Sequence, residues 1–137
     1  MKILAKITSR ERPEQLKCAI SDLMLYADSP KDIIISLSLD LDDAQTIQAL
    51  GSIQSTYRLN IDLGQRTTKI GAINRGVFKD DWSILVNLSD DQRAVKQGWD
   101  TVIKNAMPPD LDGSLWFPDG IQPRINTMEI VGRKYYE

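Results

Sequence analysis

Hydrophobic residues along this chain follow two spacings, and the change from one to the other predicts strands that alternate with helices. Apolar and β-branched runs with the spacing of a strand occur at residues 2–8, 32–38, 57–63, 83–88, 113–117 and 125–131. Strands separated by helices over the first hundred residues favour an α/β sandwich with a largely parallel central sheet.

Apolar residues at helical spacing fill the first two segments between these strands. Pro13 suits the first turn of a helix of about four turns that ends at Ser29-Pro30, with Leu16, Ala19, Ile20, Leu23, Met24 and Ala27 as its apolar positions. Asp43 is the predicted N-cap of a short second helix, and Gly51 is its predicted end.

Three further helices follow from the same signals. Thr67 or Thr68 caps a third helix, and residues 98–107 form a fourth that Pro108 ends. A last helix begins within residues 132–137.

Polar residues follow three of the predicted strands at the point where each strand ends. They occupy residues 8–10, 40–43 and 89–91. In parallel sheets, ligands bind beyond the carboxyl ends of the strands. We therefore expect these segments to converge on one edge of the sheet and to form a ligand site there.

Ser89, Asp90 and Asp91 are the most informative residues because they come directly after the apolar run at residues 82–88. Two adjacent carboxylates beside a buried strand are costly to desolvate unless a cation neutralises them. A divalent metal, alone or with a diphosphate, would do so. The alternative is a solvated turn at the end of the strand, where Ser and Asp are common.

Three other features allow both a functional and a structural interpretation. Residues 40–43 could accept hydrogen bonds from a base or ribose, or could only solvate a strand end and cap a helix. Lys69 lies in the first turn of a predicted helix, where anions are attracted, but it could equally be a solvated surface cation. Trp116 could stack against a sugar, although we favour a core position for it.

Composition narrows the functional classes. The 137 residues suit one domain over residues 1–137, and a net charge of −2 without a basic cluster argues against a nucleic-acid partner. No apolar stretch approaches the roughly 20 residues that cross a bilayer, and the N-terminus has the pattern of a strand. A cytoplasmic location is therefore expected. The single Cys18 cannot form an internal disulfide and is predicted to be buried.

The chain contains no histidine. This excludes Ser-His-Asp and Cys-His nucleophile systems and histidine-ligated zinc, and the single cysteine excludes a thiolate cage. The glycine-rich motifs of dinucleotide-binding and P-loop proteins are also missing. Acid–base or metal chemistry in this chain therefore relies on carboxylates.

Four motifs follow one another along the chain: residues 8–16 after the first strand, the acids at 40–43, Lys69-x-x-Ala72-x-Asn74-x-Gly76 at a helix start, and residues 88–92 followed by Gly98-Trp99-Asp100. Taken in this order, they resemble the motifs of nucleotide-diphospho-sugar glycosyltransferases of the GT-A fold. Inverting enzymes of family 2, and short phage-like members in particular, are the most similar. The resemblance covers nearly the whole chain.

The resemblance implies which residues surround the nucleotide. Thr8, Arg10 and Arg12 would border the nucleotide pocket. Asp40, or Asp42 close behind it, would contact the uracil or the ribose.

It also implies which residues surround the diphosphate and the sugar. Lys69 and Asn74 would lie near the donor, with Lys69 towards the diphosphate. Ser89 would begin a D-x-D-like element, in which Asp90 would face the ribose or sugar and Asp91 would hold Mg²⁺ or Mn²⁺.

The implied activity is transfer of a sugar from a UDP-sugar to an unknown acceptor with the help of a divalent metal. Asp119 would stand near the sugar and acceptor as the catalytic base, with Glu137 as the other candidate. Two departures matter: Ser89 replaces the first acid of the D-x-D element, and relatives continue past Glu137 with acceptor-binding segments. A short or truncated chain is therefore expected.

Two other functions remain open from the sequence. One is a non-catalytic nucleotide-sugar-binding domain that keeps the fold without turnover. The other is a nucleotidyltransferase, which could also use acids and a metal, although its usual glycine- and lysine-rich loop is missing.

Overall fold

The computed structural model describes residues 1–118 and 128–137 of the chain. Its strands are β1 (Ile3–Ser9), β2 (Ile33–Asp40), β3 (Leu59–Gly64), β4 (Ile84–Ser89), β5 (Ser114–Leu115) and β6 (Ile130–Gly132). Its α-helices are α1 (Pro13–Leu25), α2 (Ala44–Gln54), α3 (Lys69–Asn74), α4 (Trp99–Ala106) and α5 (Arg133–Tyr136). None of the helices in this part of the chain has the length and apolar character needed to span a membrane.

One six-stranded sheet organises the structure, in the order β3-β2-β1-β4-β6-β5. The first four strands in this order are parallel, whereas β6 is antiparallel to both β4 and β5. Parallel neighbours require crossover connections, and α1, α2 and α3 lie in these connections. The prediction of an α/β sandwich with a mostly parallel sheet is confirmed.

The two faces of the sheet differ in chemistry because side chains alternate along each strand. On one face, Ile3 and Ile7 of β1 are fully buried and belong to the main core. Leu16 of α1, Leu50 of α2 and Ile103 of α4 are part of the same core. This face therefore holds most of the apolar packing of the protein.

The opposite face holds a small apolar cluster around Trp82 and, near it, a buried cation. Lys6 is fully buried. Its ammonium donates to three oxygens, which are Ser36 Oγ at 3.0 Å, Asp62 Oδ2 at 3.3 Å and the Arg75 carbonyl at 2.5 Å. Burial lowers the pKa of Lys6, while Asp62 opposes that shift. Three acceptors match the three N–H groups of the charged form.

Helix α3 lies on this second face, and none of its residues is buried. Ser38 Oγ donates to the Ala72 carbonyl at 2.6 Å, and Lys6 binds the Arg75 carbonyl directly after the helix. The Arg75 guanidinium in turn donates to the Leu39 carbonyl of β2 at 3.1 Å. Hydrogen bonds, more than apolar packing, therefore hold α3 on the sheet.

Three sequence predictions about individual positions are wrong. Cys18 is exposed because it lies about half a turn from the buried Leu16 on α1. Helix α2 continues past Gly51, since the buried Ile53 keeps its last turn packed. Trp116 is 51% exposed because it follows the two-residue edge strand β5.

Most predicted boundaries agree with the structure. Strands β1 to β5 lie within two residues of their predicted ends. The predicted strand at 125–131 is observed as β6 from Ile130, and residues 125–127 lie outside the described residues. Helix α1 ends at Leu25, earlier than the predicted Ser29-Pro30.

Replacing Lys6 with Met is expected to lower the free energy of unfolding by about 3–5 kcal/mol, the usual cost of removing one partner of a buried ion pair. Asp62 keeps Lys79 as a partner, but the Arg75 carbonyl loses its donor. Urea unfolding followed by circular dichroism measures the change, with Lys2→Met at an exposed position as the control. Equal stability of the two variants would contradict a structural role for the buried ammonium.

Candidate functional site

The carboxyl ends of the parallel strands lie at one edge of the sheet, and their register aligns polar side chains there. Thr8 of β1 is opposite Ser38 of β2 on one side and Ser89 of β4 on the other. Ser38 is in turn opposite Asp62 of β3. The three polar segments predicted from the sequence, residues 8–10, 40–43 and 89–91, begin at or just after these aligned positions. The structure therefore brings them to one edge of the sheet.

Arg10 joins the first two of these segments. Its guanidinium donates to Asp40 Oδ2 at 2.9 Å and to the two carboxylate oxygens of Asp42 at 2.7 and 3.1 Å. The hydrogen bonds that Arg10 donates to Asp42, and then the one to Asp40, raise the pKa of Arg10. The bonds from Arg10 lower the pKa of Asp42. Both acids predicted to contact the base or ribose are thus paired with a residue predicted to border the nucleotide.

Asp43 is the N-cap of α2, as predicted, and it also holds the loop that follows β1. Its carboxylate accepts hydrogen bonds from the Thr46 N–H at 3.2 Å and the Glu11 N–H at 2.8 Å. Burial alone would raise the pKa of Asp43, but hydrogen bonds from Thr46 and Glu11 keep it below its ordinary value of 3.8. Because Glu11 has a φ of 54°, its bond to Asp43 supports a left-handed backbone conformation.

Asp90 is fully buried at the end of β4. Its Oδ2 accepts a hydrogen bond from Ser9 Oγ at 2.7 Å, and its Oδ1 lies 3.0 Å from Arg12 Nη2. This ion pair is close but not aligned as a hydrogen bond, so Oδ1 has no hydrogen-bond donor among the described residues. The carboxylate therefore faces β1 and Arg12, and its contact with ribose or sugar stays a prediction.

Asp91, by contrast, is exposed. A turn forms here, because the Gln92 N–H donates to the Ser89 carbonyl at 3.2 Å and Gln92 Oε1 accepts from the Ser89 N–H at 2.7 Å. Within residues 1–118 and 128–137, the Asp91 carboxylate has neither a hydrogen bond nor an ion pair. The turn considered as an alternative is thus present, and it leaves Asp91 accessible to a ligand.

A metal at this position would have to be held partly by substrate. In the described part of the chain, no group of three or more acids or cysteines is arranged to hold a metal ion. Mg²⁺ is often bound by only one or two carboxylates together with substrate phosphates. Asp91, with Ser89 lining the same cavity, fits this second kind of site.

A cavity of about 770 Å³ opens beside these residues, and we call it the β4 groove. Its polar lining includes the exposed Lys69 and Asp91, and its apolar lining includes Val86, Leu88, Trp99, Val102 and Phe117. The groove therefore combines a cation and an accessible carboxylate with a wall that is mostly apolar.

Lys69 and Asn74, both predicted to lie near the donor, are separated in the structure. Thr68 caps α3, as one of the two predicted alternatives, and Lys69 follows it beside the β4 groove. Asn74 Oδ1 instead accepts a hydrogen bond from the Tyr136 hydroxyl at 2.5 Å and lines a different cavity of about 340 Å³. Of these two predicted donor contacts, Lys69 lines the same cavity as Asp91 and Asn74 does not.

The sequence assigned no individual role to two buried acids, Asp62 and Asp100, although Asp100 belongs to the motif at residues 98–100. Asp100 of α4 is fully buried and accepts hydrogen bonds from the Asp28 N–H at 2.8 Å and the Ser29 N–H at 2.9 Å. Asp62 pairs with Lys6. Strand alternation marks Asp62 only as polar, so nothing in the sequence identifies its partner. Asp119, the predicted catalytic residue, lies outside the described residues.

No protein-family model matches this chain, and no curated protein sequence matches it significantly. A mannosyltransferase from Pyrobaculum calidifontis, in complex with GDP-Man and Mn²⁺, is similar with a TM-score of 0.79 and 12% identity, over 97% of this chain and 45% of that one. TarS from S. aureus matches with a TM-score of 0.64 and 12% identity, over 96% of this chain and 47% of that one. The 4-diphosphocytidyl-2C-methyl-D-erythritol synthase from Anaerococcus prevotii DSM 20548 matches with a TM-score of 0.60 and 15% identity, over 98% of this chain and 74% of that one.

At these identities the likeness establishes the fold. The mostly parallel six-stranded sheet with flanking helices is the GT-A fold of the glycosyltransferase structures that it matches. The chain spans about half the length of the first two solved structures.

Asp43→Asn keeps a side chain that can cap α2 but removes its titrating group. Because the pKa of Asp43 is lower in the folded than in the unfolded state, its charge stabilises the fold above about pH 4. That contribution is lost as the pH falls through the folded-state pKa. We therefore expect Asp43→Asn to lose less stability than the wild-type protein on acidification.

Thermal unfolding from neutral to acid pH measures this difference. Asp81→Asn, at an exposed position at the opposite end of β4, is the matched control. If Asp43→Asn and the wild-type protein lose stability in parallel as the pH falls, the hydrogen-bonded carboxylate does not contribute as described.

Proposed function

We propose that this protein transfers a sugar from a nucleotide-diphospho-sugar to an acceptor, with Mg²⁺ or Mn²⁺ as cofactor. The observation that carries the proposal is the accessible Asp91 carboxylate at the carboxyl edge of the sheet, with Lys69 lining the same groove. The mannosyltransferase that shares the fold was solved with GDP-Man and Mn²⁺, which supports a nucleotide-sugar donor and a divalent metal.

The nucleotide would lie along the ends of β1 and β2, beside Thr8, Arg10 and Arg12. Arg10 fixes Asp40 and Asp42 at this edge, and the remaining lone pairs of these carboxylates can accept N–H groups of a base or O–H groups of a ribose.

Asp90 would act on the donor through Arg12. Asp90 is buried and paired with the Arg12 guanidinium, and about half of the Arg12 side chain is exposed. A guanidinium fixed at one end by a carboxylate suits a phosphate oxygen at the other.

Asp91, with the Ser89 hydroxyl, would hold the metal. A divalent cation here supplies positive charge that stabilises a leaving diphosphate. Lys69 would add a second positive charge on the same side of the diphosphate. Asn74 has less support as a donor contact, since its side chain is bound to Tyr136.

The proposed reaction is a displacement at the anomeric carbon of the sugar. An acceptor hydroxyl forms the new C–O bond, while the bond from the anomeric carbon to the diphosphate oxygen breaks and its electron pair leaves with the nucleoside diphosphate. The acceptor proton goes to a carboxylate base, for which we propose Asp119. Negative charge develops on the diphosphate, where Lys69 would stabilise it.

A nucleotidyltransferase is the second candidate, because one of the solved structures with this fold is a 4-diphosphocytidyl-2C-methyl-D-erythritol synthase. Its lower TM-score of 0.60, and the missing glycine- and lysine-rich loop, favour sugar transfer. A non-catalytic nucleotide-sugar-binding domain would keep donor binding without turnover.

The metal role of Asp91 is tested by the affinity for UDP, and for GDP in parallel, with Mn²⁺ and with a chelator. We expect the wild-type protein to bind one of them at least about tenfold more tightly with Mn²⁺, because metal and phosphates share a site. Asp91→Ala should bind equally under both conditions, whereas Asp81→Ala, at the opposite end of β4, should behave as wild type. Calorimetry that finds no metal dependence in the wild-type protein would exclude the metal role.

The catalytic base is tested by release of UDP from UDP-glucose and of GDP from GDP-mannose. We expect Asp119→Asn to reduce release by about 100-fold or more, the usual contribution of a general base, with nucleotide affinity unchanged. Glu137→Gln, at the other candidate base, should retain activity. Binding without release in the wild-type protein would favour the non-catalytic domain, and pyrophosphate release from CTP would favour the nucleotidyltransferase.

A further inference from the structure

We infer that Gln92 is a positioning residue, whose side chain fixes the Asp91 carboxylate for the metal by closing the turn that carries it. This inference rests on the proposed function, because it takes Asp91 to be the carboxylate that holds the metal. It goes further by naming a residue on which the metal affinity of that site depends.

The Asp91 side chain has no support of its own. It is exposed, and in the described part of the chain its carboxylate makes neither a hydrogen bond nor an ion pair. The direction of this side chain is therefore set by the backbone that carries it. A loosely held ligand must be ordered when the metal binds, and that ordering costs conformational entropy.

Gln92 closes this backbone with two hydrogen bonds to a single residue, Ser89. The Gln92 N–H donates to the Ser89 carbonyl at 3.2 Å, and Gln92 Oε1 accepts from the Ser89 N–H at 2.7 Å. Asp90 and Asp91 are the two central residues of the turn that these bonds close. Both backbone polar groups of Ser89 are thus held by Gln92, one by its main chain and one by its side chain.

The place of Ser89 in the sheet explains why a side chain is used here. Backbone N–H groups alternate in direction along a strand, and the Asn87 N–H donates to the Glu129 carbonyl on the β6 side at 2.9 Å. Two residues later, the Ser89 N–H points to the same side. Gln92 Oε1 accepts it there, as a carbonyl of a neighbouring strand would. The Gln92 side chain therefore ties the turn to the end of β4.

Asp91 consequently lies between two fixed neighbours. Asp90 before it is fully buried and accepts a hydrogen bond from Ser9 Oγ at 2.7 Å. Gln92 after it is held by Ser89. Removing Asp90 would leave the nearby Arg12 without its partner, whereas removing the Gln92 amide leaves no charge unpaired. Gln92 is therefore the support that can be tested cleanly.

Three variants test this inference. Gln92→Met has a side chain of similar length but offers no strong acceptor to the Ser89 N–H, whereas Gln92→Glu keeps an acceptor. Gln97→Met is the matched control. Gln97 is an exposed glutamine between β4 and α4 that bonds to Asp28 and does not line the β4 groove.

Calorimetry measures the affinity of each variant for UDP and for GDP, with Mn²⁺ and with a chelator. We expect the gain in affinity that Mn²⁺ gives the wild-type protein to fall about tenfold in Gln92→Met, the usual effect of removing a group that orients a metal ligand. Affinity in chelator should stay at the wild-type value, which a general loss of folded structure would lower. Gln92→Glu and Gln97→Met should keep the full gain.

Deuterium exchange of the Ser89 amide, followed by NMR without nucleotide or metal, checks the hydrogen bond itself. This amide should exchange faster in Gln92→Met than in the wild-type protein or in Gln92→Glu, while the amides of β1 exchange alike in all three. Equal protection of the Ser89 amide in Gln92→Met and the wild-type protein would overturn the inference.

The affinities separate this inference from the proposed function. If Mn²⁺ does not raise the affinity of the wild-type protein for either nucleotide, the proposed metal site is wrong and the role of Gln92 falls with it. If Mn²⁺ raises that affinity and Gln92→Met keeps the full gain, the metal site stands and the positioning role does not. Equal losses in Gln92→Met and Gln92→Glu would also overturn the role, because Glu retains the acceptor.

Discussion

The structure depends on the register that pairs β1 with β2 on one side and with β4 on the other. Because both pairings are parallel, Thr8, Ser38 and Ser89 share one level of the sheet and the loops after them meet. A slip of one residue would turn Ile7 out of the core and move Lys6 into it. The three oxygens around the Lys6 ammonium exist only on the opposite face, so they reinforce this register. The buried contacts of Lys6 therefore help to hold the register on which the geometry of the site depends.

At the end of β4, strand geometry places two adjacent acids in different environments. Asp90 continues the alternation of the strand and enters the interior, where Ser9 and Arg12 meet it. Asp91 falls in the turn that Gln92 closes and stays in solvent. The Asp90 carboxylate thus contacts other residues of the protein, whereas the Asp91 carboxylate remains accessible to a cation or a ligand. Of these two adjacent acids, Asp90 is fully buried and Asp91 is exposed.

Local signals were sufficient to predict the elements, their parallel arrangement and the N-cap at Asp43, because each depends on residues close in sequence. They limited the N-cap of α3 to Thr67 or Thr68, and the structure has Thr68. The edge on which the polar segments meet followed from the general behaviour of parallel sheets. The hydrogen-bond partners of the buried acids could not be predicted, because Asp62 is 56 positions from Lys6 and Asp100 is 72 positions from Asp28. Such pairs are set by how elements pack, and a single sequence carries no record of that.

The way in which α3 is attached to the sheet has a consequence for the binding of a nucleotide-sugar donor. This helix carries Lys69 at its start, buries no residue, and is held mainly by hydrogen bonds to Ser38 and Lys6. Separating it from the sheet exposes little apolar surface, so it requires less free energy than opening the central strands. Its amide hydrogens would then exchange with deuterium sooner than those of β1. The spacing between Lys69 and Asp91 is therefore adjustable, and in the proposed function the phosphates of the donor would set its final value.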